Sequence, residues 1–212
     1  MTTLYLIRHG ESYSNLNGDY TGQQDSMLTE TGYKQASCIL SYFNGIHIDA
    51  IYTSDLARAY ETALPISKVH RVPVFKKKEL REIYGGQWEG VVFSQISSLF
   101  PEDYAIWRDN IAESCCTGGE SIREVCKRVV DGVNEIVRNH PDQCILIATH
   151  ATPIRILLTL WLTGDISNID TVPWVPNASV SKIEYSNGVF TPVDVGNTSH
   201  LGDMITNIDG KI

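Results

Sequence analysis

The chain has 212 residues, 42% hydrophobic and 20% charged, enough to bury a core without a disulfide or metal staple. Its formal net charge of −8 argues against a nucleic-acid or anionic-membrane surface, because both reward a basic patch. An anionic small substrate remains admissible if a local cluster of cations holds it, since charges beyond about 10 Å are largely screened.

Residues 3–7 read as a first buried strand, ending abruptly in Arg8, His9 and Gly10. After a polar loop, Leu28, Tyr33, Ala36, Ile39, Leu40 and Phe43 recur at helical spacing, with Thr29 as N-cap and Gly45 as a stop. Residues 50–54 form a short β-rich run, and residues 55–70 a helix capped by Ser54 or Asp55. A short strand follows over residues 72–75.

Residues 84–119 break this rhythm with five glycines, one proline and scattered aromatics, and read as an excursion from the core that covers the substrate. From Glu120 a long helix is expected, its apolar face built from Ile122, Val125, Val129, Val133, Ile136 and Val137. Residues 144–149 are a continuous apolar strand, and the next helix carries Pro153 in its first turn. Two strands, about 179–185 and 189–195, flank the hairpin pair Asn187-Gly188. No element is assigned to the tail after Gly196.

Alternating strands and helices predict a single α/β domain over residues 1–212, a three-layer α/β/α sandwich on a mainly parallel sheet. The five cysteines, Cys38, Cys115, Cys116, Cys126 and Cys144, fit no zinc spacing and read as thiols of a reducing cytosol. Arg8 and Glu11 interrupt the first apolar stretch, so no signal peptide is expected. No apolar run approaches ~18 residues, so no membrane span is expected and the location is read as cytoplasmic. A homodimer is left open.

Three strand ends share a chemistry. The first runs into Arg8 and His9, the second into a helix bearing Arg58, and the strand at 144–149 into His150. Ligands of open α/β sheets bind outside the carboxyl ends of the strands, so parallel order would bring these four together. Singly, each has a bland explanation: a loop histidine, a solvated helix charge, a polar cap. Together, two guanidiniums and two imidazoles at one edge call for an anion, and a phosphoryl group suits arginine's bidentate fork. His47, His70, His140 and His200 join no such cluster and read as surface or loop histidines. A metal on His9, Glu11 and His150 would share its space with two arginines and be repelled, so no metal or other cofactor is expected.

The stretches "LIRHGESYSN", "YTSDLARAYETA", "LREIYGGQWEG", "GGES" and "ATHATPIR" resemble the ordered motifs of the histidine phosphatase superfamily, phosphoglycerate mutase-like branch, of the broad-specificity phosphatase type. The resemblance implies a metal-independent phosphohistidine mechanism on a small phosphomonoester. It makes His9 the nucleophile, places Arg8, Arg58 and His150 around the phosphoryl oxygens, and makes Glu82 the general acid. Asn15, Thr21 and Ala151 correspond to positions around the phosphate. Glu82 must carry a proton for part of the cycle, which calls for partly apolar surroundings such as Tyr84 and Trp88. Gly10 would let the backbone approach the phosphate.

Hydrolysis is expected over the alternative, phosphoglycerate mutase activity. A mutase needs extra cations over the pocket, yet Arg108 is the only basic residue between Glu82 and Arg123, beside six acidic ones. So acidic a lid should repel a second phosphate. Ala151 also departs from the family's usual glycine, which bears on pocket shape. A catalytically dead phospho-ligand binder is disfavoured, because Arg8, His9, Arg58, Glu82 and His150 are all present.

Overall fold

The computed structural model describes residues 1–206; the end of the tail, 207–212, lies outside the described residues. A six-stranded sheet runs in the order β3-β2-β4-β1-β5-β6. Its strands are β1 (Thr2–Arg8), β2 (Ala50–Thr53), β3 (Val74–Lys76), β4 (Cys144–Thr149), β5 (Val180–Ser186) and β6 (Val189–Asn197). The first four are mutually parallel, and the final hairpin adds two antiparallel strands beside β1. The third strand starts two residues later than the apolar run suggested, after Pro73, which has no N–H to give a ladder.

Side-chain alternation splits the core into two layers. Leu4, Leu6, Ile145 and Ile147 face the helices α6 (Ile122–Asn139) and α7 (Ala151–Thr163). Tyr5, Ile7, Leu146 and Ala148 face α2 (Glu30–Tyr42) and α3 (Ala57–His70). The expected three-layer α/β/α arrangement is therefore present. Helix α6 starts at Ile122 rather than Glu120 because Ser121 and Glu124 form a reciprocal capping box. All six apolar positions expected of it are buried. Between β3 and α6 lie α4 (Phe93–Leu99) and α5 (Pro101–Asp109), the helical part of the excursion.

Two local expectations change. Helix α2 ends at Tyr42, three residues before Gly45, which sits beyond the helix at φ 78°. Helix α3 begins at Ala57, and its first N–H is met by Asp25 Oδ1 at 2.8 Å, from the loop before α2, rather than by a residue of its own entry. Ser54 Oγ accepts only from Leu56 N, one residue ahead of the helix.

Gly10 has a packing role in the fold. A Cβ there would sit 2.7 Å from the Gly32 carbonyl oxygen, and one on Gly32 would sit 2.1 Å from that of Glu11. The turn after β1 thus lies backbone to backbone on the first turn of α2. Both obstacles are main chain and cannot swing aside, so Gly32→Ala is expected to lower stability by about 1–3 kcal/mol. Denaturant unfolding of the variant checks this, and an unchanged midpoint would refute the contact.

Candidate active site

The parallel register assembles the site. Arg8 pairs with Thr149 across β1 and β4, so the next residues, His9 and His150, emerge side by side. The backbone N–H of His9 donates to Thr149 O at 3.0 Å, and the ring centroids lie 5.1 Å apart. Strand β2 neighbours β4 and delivers Arg58 in the first turn of α3; the chain leaving β3 delivers Glu82. Each parallel strand therefore contributes at its carboxyl end.

Arg8 is 2% exposed and Arg58 is 1% exposed, yet their hydrogen-bond acceptors are backbone carbonyls rather than carboxylates. Arg8 Nη1 donates to Val175 O at 2.8 Å; Arg58 donates to Gln24 O and Gly22 O at 2.8 and 2.7 Å. The Nε of each has no partner among the described residues. Burial pulls both guanidiniums down to about 10, with Glu82 opposing the effect, so both stay charged at neutral pH. The loop bearing Gly22 and Gln24 also supplies Asp25 to cap α3, so loop and helix fix each other.

The His9 ring has a defined tautomer. Nδ1 lies 2.7 Å from Gly10 O, and a carbonyl can only accept, so Nδ1 holds the proton and Nε2 keeps its lone pair. Burial first, then Arg58 and Arg8, push His9 well below the ordinary imidazole range. His150 is fully buried, neither ring nitrogen has a partner among the described residues, and burial followed by Arg58 depresses it in the same way. Both rings are neutral at pH 7.

Glu82 enters the same cavity. Its Oε1 accepts from its neighbour Ile83 N at 2.9 Å and its Oε2 from Thr152 N at 3.3 Å, at the start of α7. It is not paired with Arg81, which forms a bidentate bridge to Asp55. Its apolar surroundings differ from those expected: Tyr84 is 45% exposed and Trp88 is buried behind the wall. The cavity instead meets Tyr20, Ile83, Phe93 and Trp107.

Asn15, Thr21 and Ala151 all line the cavity. Asn15 Oδ1 accepts from Ser12 N and from Asn177 Nδ2, which leaves its amide nitrogen for a ligand. Ala151 opens α7 without a left-handed φ, so alanine is accommodated where the family favours glycine. Glu11 is engaged by Thr29 Oγ1 at 2.7 Å. Among the described residues no group of His, Cys, Asp and Glu has the arrangement to hold a metal.

Sequence reasoning missed the segment 175–179. Asn177 Nδ2 and Ala178 N both donate to His9 O, Ala178 N also reaches Arg8 O, and Val175 O takes the Arg8 side chain. Ala178 holds φ 57°, a left-handed conformation that costs roughly 1 kcal/mol in an L-residue. A proline and an asparagine before a strand were the only local signs of a turn there. His200, expected at the surface or in a loop, is a half-buried loop residue donating to Ala178 O at 2.9 Å.

The lid's charge is disposed differently from the expectation. Glu89 accepts from Gln23 N and Gly85 N, Asp103 from Thr117, and Asp109, Glu113 and Glu120 pair with Arg108, Arg123 and Arg128. None of the six carboxylates between Glu82 and Arg123 lines the cavity; Phe93 and Trp107 do. Arg8 and Arg58 are the only cations lining it among the described residues.

Fold and cluster define an α/β protein whose sheet edge gathers two buried guanidiniums beside two neutral imidazoles. The profile of the histidine phosphatase superfamily (branch 1) matches residues 4–198, and the chain belongs to that family. It is 32% identical to phosphoserine phosphatase 1 of Hydrogenobacter thermophilus over 96% of both chains. It is 29% identical to the adenosylcobalamin/α-ribazole phosphatase of Escherichia coli over 73% of this chain and 76% of the relative. Among solved structures, Bacillus stearothermophilus YhfR superposes with a TM-score of 0.90 at 31% identity, covering 95% of this chain and 100% of the other. A mycobacterial glucosyl-3-phosphoglycerate phosphatase gives 0.85 at 26% identity, covering 92% and 99%.

The two depressed histidines set a pH dependence. An unfolded chain protonates them below about pH 6.5, whereas the fold keeps them neutral to lower pH, so acidification favours unfolding. His150→Gln removes one such group and is expected to flatten the loss of stability below pH 6.5 by up to about 1.4 kcal/mol per pH unit. Denaturant midpoints measured at several pH values test this; parallel curves for the two proteins would contradict it.

Proposed function

We propose that the protein hydrolyses small phosphomonoesters through a phosphohistidine on His9. His9 Nε2 attacks phosphorus while the bond to the alcohol oxygen breaks, and Glu82 gives that oxygen its proton. Arg8, Arg58 and His150 hold the three peripheral oxygens, where charge is concentrated during transfer. Water then attacks the phosphohistidine, the Glu82 carboxylate takes its proton, and the N–P bond breaks to release inorganic phosphate.

The observation that carries this reading is the neutral, Nδ1-protonated His9 beside two buried cations with free donors. The relatives' names differ in the alcohol and share a phosphomonoester, which supports the same reaction class. Hydrolysis is favoured over mutase chemistry because the cavity offers two cations, enough for one phosphoryl group, and walls of Phe93, Trp107 and Ile83. The excursion at 84–119 acts as the specificity lid by presenting that apolar wall, within one catalytic domain. A cytoplasmic location belongs to the same proposal, supported by five free thiols.

Brief mixing with a labelled phosphomonoester should give an acid-labile, alkali-stable phosphate on the protein, absent in His9→Ala. Aryl and neutral alkyl phosphates should be turned over faster than 2,3-bisphosphoglycerate. Label persisting in His9→Ala would dismiss the nucleophile, and a preference for the bisphosphate would dismiss the apolar-lid reading.

A further inference from the structure

Glu82 sits in irregular chain between a 3-10 turn (Lys78–Leu80) and the lid, a poor place to hold a proton donor to a fraction of an ångström. Arg128 on α6 addresses this stretch with its whole guanidinium. Nη1 donates to Glu79 O and Arg81 O at 3.0 and 2.7 Å, and Nη2 donates to Glu82 O at 2.8 Å. Nε and the remaining Nη2 proton go to Glu120 Oε1 and Oε2 at 2.7 and 2.8 Å. All five N–H donors are thereby spent.

Glu120 closes the clamp on the far side. Its Oε2 accepts from Tyr84 N at 2.8 Å, and its own N–H donates to Tyr84 O at 2.8 Å. The ion pair therefore grips main chain before, at and after Glu82. Helix α6 is a rigid support, since Val125 and Val129, which flank Arg128 in sequence and on the helix, are fully buried. Gln23 Nε2 adds a weaker tie to the same Glu82 carbonyl at 3.1 Å.

We propose that Arg128 and Glu120 are positioning residues for the general acid, fixing the Glu82 carboxyl against the leaving oxygen without touching substrate. The proposal rests on Glu82 being that acid. Lysine keeps the charge but has three donors and no plane, so it cannot hold three carbonyls and a carboxylate at once.

The test reads leaving-group dependence. kcat/KM covers only the steps through departure of the alcohol, so it isolates the proton given by Glu82. A mispositioned acid hurts an alkyl phosphate, whose alkoxide needs the proton, and spares 2,4-dinitrophenyl phosphate, whose phenolate leaves unaided. Arg128→Lys should lower kcat/KM for glycerol 1-phosphate by about 100-fold, at the low end of general-acid effects, and for the dinitrophenyl ester by under about threefold. Glu120→Gln, milder for the fold, should give the same pattern at smaller size, and it serves alone if Arg128→Lys does not fold.

Glu82→Gln is the control. If it shows the selective loss and the clamp variants lose both substrates equally or neither, positioning is refuted and the acid stands. If Glu82→Gln itself loses both equally, the assignment of the acid fails, and the clamp proposal fails with it.

Discussion

Two guanidiniums held at 1–2% exposure, without a carboxylate partner among the described residues, are the constraint around which the rest is arranged. Burying a cation costs several kcal/mol after relaxation, and backbone carbonyls return only part of it. The fold holds each arginine through main-chain oxygens from a separate segment, 22–24 for Arg58 and 175 for Arg8. Those carbonyls satisfy one face of each fork without neutralising it. A carboxylate in the same place would have neutralised that charge.

The same pair of cations explains the state of the imidazoles. A histidine beside Arg8 and Arg58 and out of water cannot afford a proton, and the Gly10 carbonyl then decides which nitrogen keeps the one it has. The free lone pair at Nε2 is thus a result of placement. The opposite wall is apolar, from Phe93, Trp107 and Ile83, while Glu113 and Glu120 are turned away into ion pairs with Arg123 and Arg128 of α6.

Much of this was legible because it was periodic or local. The strand at 144–149, the buried face of α6 and the hairpin at Asn187-Gly188 follow from apolar spacing and turn chemistry, and the strand ends marked Arg8, His9, Arg58 and His150. What was illegible lay in contacts between distant segments. Nothing near Ala57 reveals that Asp25 caps its helix, and nothing near Arg8 reveals Val175, Asn177 and Ala178. The close packing of Gly10 on Gly32 across the turn was equally invisible, because the two lie on separate segments. The lid's net charge was countable, but the direction of each carboxylate was not.

The pairing of β1 with β4 sets the order in which function can appear during synthesis. Thr3 pairs with Cys144, so β1 waits for a partner made some 140 residues later. Until then Arg8 and His9 belong to a strand flanked by no ladder, and Arg58 has no second cation to face. Closing so long a loop is entropically slow, yet its cost rises only logarithmically with length. The edge that gathers Arg8, His9, Arg58 and His150 therefore forms only when the central sheet does.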